Sequence, residues 1–480
     1  MGLARSSSSL IRVVAAAVGT RRVRAVATVE AALERIARLD PALNAVVGLR
    51  ADAAHREAEA LDARLAAGER PGPLAGVPVL VKDLEDVAGM RTTYGSRLFA
   101  GAAPATSDSL IPARLRAAGA IIVGKTNLPE FATEGFTDNL LFGPTRNPWA
   151  PDWSPGGSSG GSAAALAAGL VPIATATDGG GSIRIPAAFC GLVGLKPTHG
   201  VIASWPPPDW IDFSTSGPLA TSVADLRVLL EVESGPMPGD PTALPTGWSA
   251  APTFPGRLPD RLIAAHRTSD FGPLPRGIER SFVEAVAAFA EVLGLPVAWM
   301  EPREFFTEGD PDLDWFTLAT AEHVASLGRE RVAENLERMH PAAREFLATG
   351  MAVDIETYLA ARRRRFAYVR RLDELLGRAG LLLTPTVASE GWTPDGRLTP
   401  DGAPGALPPE VYSTAVQNMT GHPAISLPAG LSANGVPFGL QVTGPRHADA
   451  LLLDVASAWE AAYPWPEVAP GYLTFASILS

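Results

Sequence analysis

Three short stretches carry residues suited to one kind of chemistry. They are Lys82 in VLVKDLEDV, the run Gly156-Gly157-Ser158-Ser159-Gly160-Gly161-Ser162, and Asp178-Gly179-Gly180-Gly181-Ser182-Ile183-Arg184. A nucleophilic serine needs a neighbouring base, and it needs backbone N–H donors for the oxyanion it generates. Together the stretches could supply a base, a relay and a nucleophile in a glycine-rich setting, which points to acyl transfer. Either Gly/Ser loop alone reads more readily as a plain turn, and a lone lysine as a solvated surface residue.

The elements that must position these residues show as alternating periodicities. Helix-type spacing covers 29–38, 51–67, 110–118 and 222–232, and strand-type runs cover 77–81, 120–123, 171–177 and 381–384. Further strands at 424–427 and 438–443 and a helix near 448–461 follow. Such alternation predicts an α/β fold, a single large α/β/α domain over 1–480 with a central mixed β-sheet covered by helices. Residues 1–28 read as an N-terminal extension. Residues 235–379 read as a less regular, mainly helical elaboration that could cap a pocket. Lys82 falls at the end of a buried-looking strand, where such a sheet presents residues to a crevice. Ser182 follows the strand 171–177 across a glycine turn, and Ser158 precedes an alanine-rich helix whose N-terminus favours negative charge.

Composition narrows the function classes. With 46% hydrophobic and 19% charged residues the chain is globular, and a net charge of −11 argues against a nucleic-acid partner. The basic run Arg362–Arg365 reads as the solvated face of a long helix. The single cysteine, Cys190, lies in apolar AAFCGLVGL; it reads as core and fits a reducing compartment. The first 28 residues hold arginine and serine but no acid, which leaves a transit peptide open, while Arg12 interrupts the apolar stretch a secretory signal would need. The longest apolar run, near 163–176, is broken by Gly169 and Pro172 and falls short of the roughly 20 residues of a membrane span. A cytoplasmic protein without membrane or nucleic-acid partners is expected, with a homodimer left open. No clustered Cys/His pattern implies a metal or cofactor.

Two further motif matches fail on context. Gly119-Ala-Ile-Ile-Val-Gly124-Lys125-Thr126 fits the phosphate-loop pattern letter for letter, but a helix precedes it and 120–123 is itself a strand. Gly157-Ser158-Ser159-Gly160-Gly161 fits a nucleophile elbow centred on Ser159, which would need His422 or His447. The segment before it holds three prolines and reads as loop, not strand.

The fullest match is a resemblance. The two serine loops, with Lys82-Asp83, Gly124–Phe131, Ser216–Ala220, Asn418–Ala424 and Pro437–Gly444, resemble the amidase signature family over roughly 29–232 and 380–462. The resemblance implies a Ser–cis-Ser–Lys triad on a single α/β domain with a large mixed sheet. By position, Ser182 would be the nucleophile, Ser158 the cis-serine relay and Lys82 the base. The N–H groups of Gly179, Gly180, Gly181 and Ser182 would form the oxyanion hole, with Ser159, Asp178 and Arg184 in support. One departure is Gly179, where many members carry threonine or isoleucine. The implied activity is metal-free, cofactor-free hydrolysis of a small carboxamide. Rival readings are an amidase-type subunit of a tRNA-dependent amidotransferase, where Ile185 departs from the usual glutamine, and an inactive binding protein on the same fold. Trp205, Pro206–Pro208, Trp210 and Phe213 follow the signature block, where family members often line the acyl pocket; they read equally as core.

Overall fold

The computed structural model describes residues 9–245, 258–270, 272–397 and 413–479. Helices and a large mixed sheet form the fold, the sheet in two main parts. The smaller part has four strands in the order Val46–Leu49, Ile121–Thr126, Pro78–Lys82, Ile173–Ala174. The middle two run parallel and are buried along their whole length, as continuous Val/Ile/Leu runs require when both faces are covered. The larger part has seven strands, ordered Val297–Trp299, Arg261–Ala264, Gly380–Pro385, Pro437–Thr443, Ala424–Leu431, Val193–Lys196, Leu219–Ala220. A two-stranded ribbon pairs Thr177–Asp178 with Thr215–Ser216.

The strand expected at 171–177 is broken. Its first part pairs with Pro78–Lys82, and the chain then leaves the ladder at Thr175, whose side-chain hydroxyl takes the Lys82 backbone N–H at 2.9 Å. Thr177–Asp178 is thereby freed to pair elsewhere, and this carries the second serine loop up to Lys82.

Two other segments depart from their sequence-based expectations. Within the supposed extension, Leu10–Gly19 is a helix with Ile11, Val14 and Val18 fully buried. Ser9 caps it and donates to Asp225, which also accepts the Ile11 N–H at 3.0 Å. Within 235–379, Arg261–Ala264 and Val297–Trp299 extend the large sheet in parallel, joined by the 18-residue helix Arg276–Leu293. The helical remainder sends one helix, Pro311–Leu327, to the site described next.

The basic run is not a solvated face. Arg362 and Arg365 both bind Asp212, and Arg364 binds Asp314; only Arg363 of the four is exposed. Their acidic partners lie about 50 to 150 positions away in the chain, so no local pattern announces them.

Candidate active site

Lys82 ends a strand whose five residues are all buried, and its side chain runs into the interior. Three hydroxyls surround Nζ: Ser158 Oγ at 2.7 Å, Thr177 Oγ1 at 2.9 Å and Ser159 Oγ at 3.0 Å. No carboxylate is within hydrogen-bond reach of Nζ among the described residues. Burial pulls the ammonium down to about 7, and the attraction of Glu85 and Asp178 offsets this only in part. Glu85 is buried beside it and pushed up to about 7 for the same reason. Its carboxylate accepts the Thr175 hydroxyl.

The loop before helix Gly160–Ala167 brings Ser158 to the lysine. Gly156 has φ +84°, a conformation glycine adopts without strain, and the Gly157–Ser158 peptide is cis. Thr137 Oγ1 donates to the Gly156 carbonyl at 2.7 Å, and Ser162 Oγ donates to the Thr175 carbonyl at 2.8 Å. The Ser159 N–H donates to the Ser182 carbonyl at 3.3 Å, which ties the two serine loops together. Ser158 and Ser182 open onto one cleft.

The second loop is organised around a buried ion pair. Arg184 grips both carboxylate oxygens of Asp178 at 2.8 and 2.9 Å, with both side chains wholly buried. Such a pair is tolerable only when its remaining hydrogen-bonding capacity is met. Gln441, Gln417 and Asn418 take the other guanidinium N–H groups, at 2.7, 3.1 and 2.7 Å. The guanidinium holds the Asp178 carboxyl below the usual range despite burial. The loop carbonyls are pinned as well: Trp315 Nε1 donates to Gly179 O and Thr414 Oγ1 to Gly180 O, each at 2.7 Å.

One expected donor is already engaged. The Gly181 N–H donates to Asp178 Oδ1 at 2.8 Å, because a φ of +132° turns the peptide inward. The N–H groups of Gly179, Gly180 and Ser182 have no acceptor among the described residues. The departure at Gly179 also finds its reason. A Cβ there would lie 2.1 Å from the Trp210 ring, so the tryptophan at 210 in this position requires glycine at 179.

The structure thus brings Lys82, Ser158, Ser159, Asp178, Ser182 and Arg184 together. Sequence reasoning missed Thr177, the third lysine partner, and the glutamine and asparagine cage of Arg184. Asn418 and Gln441 stand inside stretches that carry the family resemblance, so position in a motif was the available signal; Thr177 offered none beyond its place beside Asp178. Trp205, Pro206–Pro208 and Trp210 line the cleft, whereas Phe213 packs behind Trp210, stacked at 5.9 Å. The elbow alternative loses its histidine: Ser159 Oγ contacts Lys82 and Thr177, and buried His422 lies 3.2 Å from Asp373. Lys125 of the phosphate-loop match is buried against Asp83 at 3.0 Å, inside a strand. Among the described residues no three His, Cys, Asp or Glu side chains converge as a metal site would need.

The geometry agrees with what the chain resembles among known proteins. The amidase family profile matches residues 27–453. The chain is 34% identical to an acylamidase of Rhodococcus erythropolis, with 92% of each covered. It is 38% identical to a subunit of the glutamyl-tRNA(Gln) amidotransferase of Thermus thermophilus, over 90% of this chain and 93% of that one. A crystal structure of a bacterial aryl acylamidase of the amidase signature enzymes superposes with a TM-score of 0.86 at 30% identity, covering 97% of both chains.

Proposed function

Because the chain belongs to the amidase signature family it is an amidase, a hydrolase of carbon–nitrogen bonds, and we propose that it works through an acyl-enzyme on Ser182. The observation that carries the mechanism is the buried Lys82 amine held by three hydroxyls and no carboxylate. Ser182 attacks the amide carbonyl while Ser158 takes its proton and passes its own to Lys82. The oxyanion is met by the N–H groups of Gly179, Gly180 and Ser182, while Gly181 serves the loop through Asp178. Collapse of the tetrahedral intermediate breaks the C–N bond, and the proton held by Lys82 returns through Ser158 to the leaving nitrogen. Water then enters by the same relay and releases the carboxylic acid. Ser159, Asp178 and Arg184 position the loops. Nothing in this sequence of steps calls for a cofactor, and the buried lone Cys190 is in keeping with a cytoplasmic enzyme.

A fluorophosphonate probe is expected to label Ser182, and Ser182→Ala to lose both labelling and amide hydrolysis. Near-wild-type turnover in Ser182→Ala would overturn the assignment.

The rival reading, a component of an amidotransferase complex, draws on the 38% identity to such a subunit. Against it stands Ile185, buried in an apolar cluster with Phe136, Phe189 and Trp392, where glutamine would leave an amide unpaired. The purified chain is therefore expected to hydrolyse simple amides without ATP, tRNA or a second subunit. Hydrolysis seen only with added partners would favour the rival reading.

A further inference from the structure

The walls of the cleft narrow what it can hold. Tyr94, Phe131, Trp205 and Trp210 line it, with Leu110 and Ile111 beside them. Trp210 is fixed by donating its indole N–H to the Ala319 carbonyl at 3.0 Å, and its ring stands against Gly179, three residues before Ser182. Flat aromatic walls favour a flat apolar group by offset or edge contact.

The charge on these walls has one sign. Glu85 and Asp209 line the cleft, and no lysine or arginine does so among the described residues. A carboxylate entering this space would meet Asp209 with no lysine or arginine on the lining to offset it, Lys82 lying behind Ser158 beside Glu85. An ammonium would be welcomed by Asp209 and by the aromatic faces.

Besides the hydroxyls of residues such as Ser109, Ser204 and Ser214, the polar wall includes His323, on helix Pro311–Leu327. It is 2% exposed, and neither ring nitrogen has a hydrogen-bond partner among the described residues. Phe131, Trp210 and Phe346 surround it with ring centroids 5.9, 5.9 and 6.1 Å away. Burial keeps the imidazole neutral, with Asp209 opposing that effect. A neutral imidazole offers one donor and one acceptor, and leaving both unmet is costly. A hydrogen-bonding ligand group that reaches the ring from the cleft would meet one of them.

We propose that the cleft selects amides bearing an uncharged or cationic aromatic group with a hydrogen-bonding substituent, anchored on His323, and rejects carboxylate-bearing amides. This rests on the cleft being the amide-hydrolysing site. The test uses two substrate series, para-substituted acetanilides and para-substituted benzamides, each with hydrogen, hydroxymethyl, aminomethyl and carboxylate. In whichever series is turned over, kcat/KM for the carboxylate is expected about 100-fold below that for hydroxymethyl, with aminomethyl within about tenfold of it. Asp209→Asn is expected to narrow the carboxylate deficit. His323→Leu is expected to bring the hydroxymethyl-to-hydrogen ratio of kcat/KM towards one, mainly through KM, and His323→Gln to restore part of it. Equal turnover of carboxylate and hydroxymethyl members by the wild-type chain would overturn the proposal, whatever the variants do. So would hydrolysis of aliphatic amides with no aryl amide accepted. Failure of every amide together with no fluorophosphonate labelling would instead remove the amidase mechanism itself.

Discussion

Lys82 ends the strand Pro78–Lys82, Lys125 lies in its parallel neighbour Ile121–Thr126, and both are buried. Their partners differ. Lys125 meets the Asp83 carboxylate at 3.0 Å and the Thr92 hydroxyl at 2.8 Å, whereas Lys82 meets three hydroxyls. Burial lowers the pKa of each, and in Lys125 the adjoining carboxylate opposes the drop directly. Asp83 in turn accepts from Thr93, so that pair is a satisfied ion pair that braces the strand end next to Lys82. Burial by itself therefore does not make a base. A lysine becomes one where it is buried among groups that orient it without holding it charged.

The sharpest way to break this comparison is to remove each lysine in turn. Lys82→Ala is expected to lower kcat by roughly four orders of magnitude or more, because base, relay and nucleophile act as a unit. Its fold is expected to survive, since the three hydroxyls it leaves are uncharged. Lys125→Ala is expected to behave oppositely, costing about 3–5 kcal/mol of stability by stranding Asp83, with kcat per folded molecule near wild type. Urea titrations alongside initial rates separate the two; a Lys82→Ala enzyme that is unstable but active would invert the assignment.

A pH profile sharpens the same point. Lys82 reacts as the neutral amine, so lowering its pKa from the ordinary 10.5 to about 7 moves the rising limb of activity down by the same amount. kcat/KM is expected to climb through about 7 and stay high into alkali, the apparent midpoint belonging to Lys82 and Glu85 together. A limb centred above about 9.5 would leave Lys82 no better placed than an exposed lysine. The smallest effect is expected from Thr177→Val, which removes one of the three hydroxyls. It takes away an acceptor that favours the ammonium, so the midpoint is expected to move lower and kcat to fall about tenfold, with KM little changed. An unchanged profile would mean that Ser158 and Ser159 suffice to place the amine.

Legibility followed how local each signal was. The strands near 78–82, 121–126, 380–385 and 437–443 stand out because continuous apolar runs leave little other choice. Arg261–Ala264 and Val297–Trp299 do not, being short, partly exposed and set among prolines and glycines. Helix Leu10–Gly19 reads as an extension from sequence because its apolar face gains meaning only against Asp225 and the core it covers. The same limit applies to Arg362–Arg365, whose partners are distant in the chain.

What the sequence by itself determined is the inventory of the site: which loops carry serine, where glycine permits close approach, and which strand ends in lysine. Those depend on residue type and immediate neighbours. Only the tertiary structure decided that Lys82 would be held by Thr177 as well as the two serines, and that the Gly181 N–H would turn to Asp178. It also decided that Trp210 would fill the space beside Gly179. Each of these depends on desolvation and on contacts between residues far apart in the chain, and such contacts exist only once the strands and loops have packed.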